Sequence, residues 1–507
     1  MSRSKNAIGG LFADIGGLII TQILTFLAVP IYLSHLSNIS YGYWLTIGSI
    51  VMWISLSDFG IGMALSRLLI KVQSDSSRTD FNEEVSKLVA TSLVIFASSA
   101  FLFLLLGVLL YPFCLIWFDI SDLDTSTFQL TFYVTLIAGA LSLPTSVFSG
   151  ILESSQKLAL NRNLTSIGSI VNIIISIWLV VYFKNIIGLA YALLVSVIVR
   201  ALISGFFSLQ LVKLSRKHFR YEKNYATSLL TFGGYFQIAR IANTVATNSD
   251  NIFISSFLSS SFVPIYSFTS KMAQVFSITL ASKIPNVLFA GISQIIDLNE
   301  DERLQRLFQL LLKLLIRLAI ITACYNFFFN EIFVMLWVGK GNYAGDGVNY
   351  VMCYWIIYEF IVRGTTALVY AFGELKGYAS ISVFEIIGNI VLSIILVKTI
   401  GLIGVAIATA ISRTFTTGVY LLVFFRRKRL VNWDSCKLLA DVSFRSLPSC
   451  IVFFCYKISV DNLGWLDLIF VGLLSVVINF ISFDIVTVIK NRHLSLREIF
   501  YATLFKV

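Results

Sequence analysis

Charge is scarce in this 507-residue chain: Asp, Glu, Lys and Arg make up 13% of it, against about 25% in an average soluble domain. That scarcity excludes a water-facing surface over most of the chain. Histidine occurs three times, as His35, His218 and His493. These are too dispersed for a metal cluster, and no HExxH zinc signature is present. The six cysteines, Cys114, Cys324, Cys353, Cys436, Cys450 and Cys455, form no CxxC pair, which argues against a disulfide framework or a zinc site. No GxxxxGK[ST] phosphate loop occurs, so ATP hydrolysis within the chain is not expected. The GxSxG elbow of hydrolases is missing as well. No segment is long and polar enough to house a soluble catalytic or nucleotide-binding domain. The expectation is a protein that is not an enzyme and carries no cofactor and no metal.

What is there is apolar. Hydrophobic residues make up 57% of the chain, and the mean hydropathy is +0.86. Stretches of about 20 apolar residues, enough to cross a hydrocarbon core, recur along the whole length. The reading is an all-α polytopic membrane protein with about fourteen transmembrane helices. They fall near 8–34, 42–71, 86–111, 127–153, 163–183, 187–212, 226–258, 264–294, 307–338, 348–374, 379–398, 402–425, 441–459 and 466–488. The segment from Ile8 follows Arg3 and Lys5 but runs too long for a signal-peptide core and lacks a cleavage site, so it reads as a retained helix.

The net charge of +11 has a topological explanation. With a cytoplasmic N-terminus, the cations collect on one side. These are Lys71 and Arg78, Lys157 and Arg162, then Lys213, Arg216, Lys217, Arg220 and Lys223. Arg303 and Arg306, Arg426 to Arg429, and Lys490, Arg492 and Arg497 complete the set. The opposite loops are nearly bare of them, and one carries Asp119, Asp122 and Asp124. This bias places both termini in the cytoplasm. The basic loop 213–223 also suits anionic headgroups. Nucleic acid is not an expected partner.

An internal repeat is present. Asn172 and Ser176 match Asn389 and Ser393; after a one-residue gap, Gly188, Ala190, Ala192 and Ser196 match Gly404, Ala406, Ala408 and Ser412. Helices five and six therefore correspond to eleven and twelve. An even offset keeps both copies in one orientation, a parallel repeat about an axis along the membrane normal. The expected organisation is an N-terminal lobe at 1–212, a basic linker at 213–225, a C-terminal lobe at 226–425, and two extra helices with a tail at 426–507.

Ionisable residues fall inside these helices, where each costs about 2.5–3.5 kcal/mol at the helix centre. The cations are Arg200, Arg240, Lys271, Lys283, Arg363 and Arg413. The acids are Asp14, Asp58, Asp250, Glu359 and Glu385. Spacing groups them into stripes. One holds Gln237, Arg240, Thr244, Asn248 and Asn251, with Asn243, Thr247 and Asp250 beside it. Others hold Ser267, Lys271 and Gln274; Glu359, Arg363, Thr366 and Tyr370; and Thr409, Arg413, Thr416 and Tyr420. Water-filled cavity walls explain such stripes. So does pairing: Glu359 and Arg363 are four apart, and Asp250 is within range of neutralising Lys271 or Arg240. Asp14, Asp58, Asp250 and Glu359 are candidates for ion coupling or for structural roles. Pro30 and Pro285 are candidate kinks.

The N-terminal pattern, Pro30, Tyr41-Gly42-Tyr43-Trp44 and then Asp58-Phe59-Gly60-Ile61-Gly62-Met63-Ala64-Leu65-Ser66-Arg67, resembles the opening hairpin of the polysaccharide flippases of the multidrug/oligosaccharidyl-lipid/polysaccharide exporter superfamily. The Wzx-type O-antigen flippases are the nearest in pattern. Asp250-Asn251-Ile252 with Pro264-Ile265-Tyr266 resembles the start of that family's second lobe; the likeness covers roughly residues 8–430 and departs at Ser37 and Ser259, where the family often has glycine. The resemblance implies transport of undecaprenyl-pyrophosphate-linked sugar units to the periplasmic leaflet. Membrane lipids and other polysaccharide-assembly proteins would be its partners. Arg200, Arg240, Lys271, Lys283, Arg363 and Arg413 are then the candidate contacts to the pyrophosphate or acidic sugars, with Gln237, Asn248, Asn251, Thr366 and Gln274 as polar lining. Two alternatives remain open at this point: a small-molecule or drug antiporter of the same superfamily, and a membrane-embedded glycan polymerase.

Overall fold

The computed structural model describes residues 2–58, 60–74, 81–118, 124–212, 214–281, 292–298, 300–431, 433–460 and 462–490. Every regular element among them is helical. In order they are α1 (Ser2–His35), α2 (Asn38–Ile54), α3 (Ile61–Ser74), α4 (Phe81–Trp117), α5 (Thr125–Ser154), α6 (Leu158–Phe183), α7 (Ile187–Leu211) and α8 (Lys223–Phe257). Then come α9 (Phe262–Gln274), α10 (Asp301–Val338), α11 (Asp346–Ala371), α12 (Leu375–Ile400), α13 (Leu402–Arg413, continuing as Val419–Arg427), α14 (Trp433–Ser459) and α15 (Trp465–Lys490). Nine helices among the described residues are long and apolar enough to cross a membrane. The protein is an all-α, multi-pass membrane protein.

Its surface fits a lipid solvent. Phe101, Trp178, Leu202, Phe415 and Leu466 are all exposed, while Asn326, Asn330, Glu359 and Asn389 are wholly buried. In water this distribution would forfeit the hydrophobic drive to fold. In a bilayer the tails solvate the outer apolar side chains, and polar groups must find partners inside.

Two departures from the expected helices have local causes. The span expected near 42–71 is two helices, α2 and α3, joined by a 3-10 turn at Ser55–Asp58. Gly60 follows at φ +67°, and a Cβ there would lie 2.7 Å from the Gly233 carbonyl oxygen of α8. Only glycine allows both the left-handed backbone and that approach. The second departure is a π turn in each of two helices: Val275–Leu280 continues α9, and Thr414–Gly418 interrupts α13. A π turn adds a residue and rotates everything beyond it. The Thr409–Arg413–Thr416–Tyr420 stripe read from uniform spacing is therefore not one straight face.

The chain divides by its contacts into two units, Met1–Pro264 and Ile265–Val507. In the first, α1 packs along α6, α6 pairs with α7, α7 lies on α5, and α5 carries α3 and α4. Helix α8, which opens the second set of helices in the sequence repeat, packs in this unit against α2, α3 and α4. An aromatic cluster joins α2, α4 and α5, with Tyr43 edge-on to Phe128 at 5.8 Å and Tyr111 against Phe132 at 5.5 Å. In the second unit, α12 pairs with α13, α11 packs on α10 and α13, and α14 and α15 cover α10. There Phe329, Phe453, Leu468 and Val471 form a buried core.

Gly188 and Gly404, matched in the sequence, have similar backbone surroundings. A Cβ on Gly188 would lie 2.8 Å from the Leu179 carbonyl carbon, and one on Gly404 would lie 2.1 Å from the Leu396 carbonyl oxygen. Each matched glycine thus lets the second helix of its hairpin press on the main chain of the first.

Candidate functional site

The sequence places two acids and two bases in α11, α12 and α13, and the fold gathers them into one network. Arg413 donates through Nε to Glu385 Oε1 at 2.8 Å and through Nη1 to Glu359 Oε1. Arg363, one turn beyond Glu359 on α11, donates to its other oxygen. Glu359 is 0% exposed, Glu385 3% and Arg413 6%. The hydroxyl of Thr417 donates to Glu385 Oε2. The two carboxylates balance the two guanidiniums, which is the condition under which buried charges are tolerated.

The π turn belongs to this network. Tyr358 donates its hydroxyl to the Arg413 main-chain carbonyl at 2.6 Å, where the wider turn begins. The hydroxyls of Tyr354 and Thr414 lie 2.5 Å apart. The Arg413 guanidinium sits over the Trp355 ring at 5.1 Å, a favourable place for a cation. Residues 354, 355 and 358 share one face of α11 by helical spacing, and that face clamps the point where α13 changes pitch.

The other sequence-selected cations stand apart from this network. Lys271 on α9 is half-buried and has no hydrogen-bond or ion-pair partner among the described residues. Arg200 on α7 is also half-buried and likewise unpartnered there. Its aliphatic stem lies over Gly168 of α6, where a Cβ would meet Arg200 Cβ and Cδ at 3.4 Å. Arg240 on α8 is exposed. Lys283 and Pro285 lie outside the described residues, as do the side chains of Asp14, Asp58, Asn243 and Thr247.

The polar residues expected to line a cavity mostly brace helices. Gln237 is buried and donates to the Leu56 carbonyl in the turn after α2. Asn251 donates to Ser49 Oγ of α2 at 3.0 Å. Both tie α8 to the α2 hairpin. Asn248 bonds back to the Thr244 carbonyl at 3.0 Å, Thr366 to the Val362 carbonyl at 2.6 Å, and Gln274 to Ser270 Oγ at 3.1 Å. Asp250 is half-buried on α8. Sequence reasoning passed over Glu385 as a site residue. It also missed a group of asparagines, Asn326, Asn330 and Asn349, whose signal was two asparagines four apart in an otherwise aromatic run.

The arrangement divides the buried cations by chemistry. Arg363 and Arg413 are neutralised by the protein itself. Lys271 and Arg200 are positive groups inside apolar helices with no protein anion beside them among the described residues. A cation in that position attracts an anion, and Arg in particular grips phosphate bidentately.

The chain is similar to several known proteins. The chain is 25% identical over 420 residues, 81% of its own length and 95% of the other's, to a Shigella flexneri protein provisionally described as an O-antigen transporter. Its fold is similar to that of the lipid II flippase MurJ in an inward closed conformation, with a TM-score of 0.65 at 17% identity over 94% of this chain and 99% of that one. It is similar also to an inward-facing multidrug resistance MATE family transporter of the MOP superfamily, with a TM-score of 0.68 at 16% identity, covering 84% of this chain and 98% of that one. Residues 10–296, more than half of the chain, match the polysaccharide biosynthesis protein family, and this protein belongs to it.

Proposed function

We propose that this protein is a flippase and not an enzyme. It moves undecaprenyl-pyrophosphate-linked O-antigen, or a related surface-polysaccharide repeat unit, from the cytoplasmic to the periplasmic leaflet of a bacterial inner membrane. The observations that carry this reading are Lys271 and Arg200, each half-buried on a helix of its own unit and without an ion-pair partner among the described residues, in a chain of the polysaccharide biosynthesis protein family. A pyrophosphate is a dense anion, and its lipid tail stays in the bilayer while the headgroup meets the cations. Arg240 and Lys283 are further candidate contacts to the pyrophosphate or to acidic sugars. Gln237, Asn248, Asn251, Thr366 and Gln274 supply hydrogen bonds to sugar hydroxyls when their internal bonds exchange. The two matched helix sets alternate between inward-open and outward-open states, as parallel repeats do, with both termini on the cytoplasmic side.

The test is a clean deletion in the native host, with gel analysis of the surface polysaccharide and extraction of lipid-linked intermediates. The flippase reading expects loss of the polysaccharide ladder, repeat units accumulating on the cytoplasmic face, and rescue by the intact gene. Unchanged polysaccharide with altered export of small molecules would replace it by the antiporter reading. Charge reversal at Arg240 with normal protein level and a full ladder would remove that residue from the route.

A further inference from the structure

Two thiols meet in the second unit, apart from the ion network. Cys324 of α10 and Cys450 of α14 are 126 residues apart in the sequence, yet the Cys450 thiol donates to Cys324 Sγ at 2.6 Å. Both cysteines are free and half-buried. Even carbon atoms, smaller than sulfur, rest about 3.5–4.0 Å apart when they are not bonded, and a disulfide bond is about 2.03–2.05 Å long. The two sulfurs therefore stand closer than simple packing would put them and within easy reach of a bond. No CxxC spacing announces this pair; only the packing of α14 on α10 makes it.

Neighbouring residues hold the sulfurs in register. Beside Cys324, the Tyr325 hydroxyl donates to the Leu468 carbonyl of α15 at 3.0 Å, and the Tyr325 ring stands edge-on to Phe453 of α14 at 5.6 Å. Beside Cys450, the Ser449 hydroxyl donates to the Ser475 carbonyl of α15 at 3.3 Å. Two turns before Cys324, Arg317 Nη2 donates to the Asn479 carbonyl of α15 at 2.8 Å. Cys324 itself packs on the core of Ile321, Phe329, Phe453, Leu468 and Val471. Sliding α14 along α10 would break all of these contacts, so the two thiols stay face to face. On the outer side, Leu447, Ile451 and Phe454 around Cys450 are exposed and apolar. A reagent that reaches this thiol comes through the bilayer.

We propose that Cys324 and Cys450 are a peroxide-reactive dithiol that oxidises to a disulfide tying α14 to α10. The oxidant is a hydroperoxide, a neutral molecule that enters the bilayer. The Cys450 sulfur attacks the terminal peroxide oxygen, the O–O bond breaks, and the departing oxygen takes the thiol proton and leaves as an alcohol. Cys450 is then a sulfenic acid, which condenses with a nearby thiol. The Cys324 sulfur attacks it, the S–S bond forms, the S–O bond breaks, and the hydroxyl leaves as water with the Cys324 proton. Two thiols and one hydroperoxide thus give one disulfide, one alcohol and one water, with two electrons passing from sulfur to peroxide oxygen. Exchange with an external thiol restores both cysteines. The bond joins a helix outside the sequence repeat to one within it. It is separate from the Glu359–Glu385–Arg413 network and independent of which molecule the protein carries.

The experiment treats the purified full-length protein in liposomes with cumene hydroperoxide, blocks the remaining thiols with N-ethylmaleimide, and maps the peptides by mass spectrometry. The expected product is a Cys324–Cys450 disulfide in most chains, absent from protein kept reduced and released by dithiothreitol. Cys353, which accepts from Asn326 Nδ2 at 3.4 Å, and the exposed Cys455 serve as controls. Cys353→Ser and Cys455→Ser should keep the cross-link. Cys324→Ser should lose it and leave Cys450 as a sulfenic acid that dimedone traps. Absence of the Cys324–Cys450 disulfide from the treated wild type overturns the proposal, whether the two stay thiols, pair with other cysteines or oxidise without joining. The wild type alone decides if the serine variants do not fold.

Discussion

The hairpin α6–α7 and the hairpin α12–α13 are copies of one plan, and they differ in where they put charge. Gly188 and Gly404 press on the main chain of the preceding helix in the same way. By the same alignment, Gly168 of α6 corresponds to Glu385 of α12, Val197 to Arg413, and Arg200 to Thr416. In the second unit the pair Glu385–Arg413 closes on itself, and Glu359 and Arg363 complete a neutral set. In the first unit the glycine leaves room for Arg200 to lie over α6 with no anion beside it among the described residues. Helix packing is thus kept while electrostatics diverges. One copy uses its ions as a tie between three helices, and the other leaves a cation available.

The comparison breaks most visibly at the tie. Glu385→Gln removes one partner of a buried charge, and Arg413 is left with Glu359 shared between two guanidiniums. The expected loss is about 3–5 kcal/mol, read as reduced protein level and an early unfolding midpoint in detergent. Restoring the first hairpin's sequence with Glu385→Gly together with Arg413→Val should cost less than the sum of the single changes, and a double-mutant cycle measures that coupling. Additive losses would mean that the two residues do not act as a pair.

The next effect concerns the shared backbone. Gly188→Ala and Gly404→Ala each force a methyl onto the main chain of the neighbouring helix. Both are expected to destabilise by about 1–3 kcal/mol or more, with thermal unfolding as the check. A loss at one site alone would contradict a common hairpin geometry.

A smaller effect on stability should come from giving the first hairpin an acid. Gly168→Glu places a carboxylate where Glu385 stands in the second copy, next to Arg200. We expect a smaller loss of stability than in Glu385→Gln, because the new carboxylate gains Arg200 as its partner, while surface polysaccharide falls sharply, because Arg200 becomes neutralised. Full polysaccharide at normal protein level would separate Arg200 from transport.

Much of this was legible in the sequence because bilayers impose strong rules. Apolar run length gave the all-helical, multi-pass class, and the matched Gly188 and Gly404 fall at like places in their hairpins. The Glu359–Arg363 pair followed from helical spacing. The third member, Glu385, did not, because it sits on another helix and only packing brings α12 to α13. The π turn at Thr414–Gly418 was hidden for a similar reason. It is stabilised by Tyr358 and Tyr354 from α11, and no local pattern in TFTTG announces it. Asn326 and Asn330 were overlooked because amides cost less than charges and draw less notice in an apolar run. Their hydrogen-bond partners, Asn349 and the Thr269 carbonyl, lie on other helices.

The central claim is that the paired cations hold the fold and that Lys271 and Arg200, without an ion-pair partner among the described residues, serve the proposed substrate. Lys271→Gln tests it most directly, expressed in the deletion host with protein level, unfolding midpoint and polysaccharide ladder measured together. Lys271 has no protein partner to lose among the described residues, so stability should stay within about 0.5 kcal/mol of wild type. Loss of a charge-assisted contact should weaken headgroup binding about ten- to a hundredfold and deplete the ladder. A full ladder at normal protein level would contradict the account, and so would a variant that fails to fold.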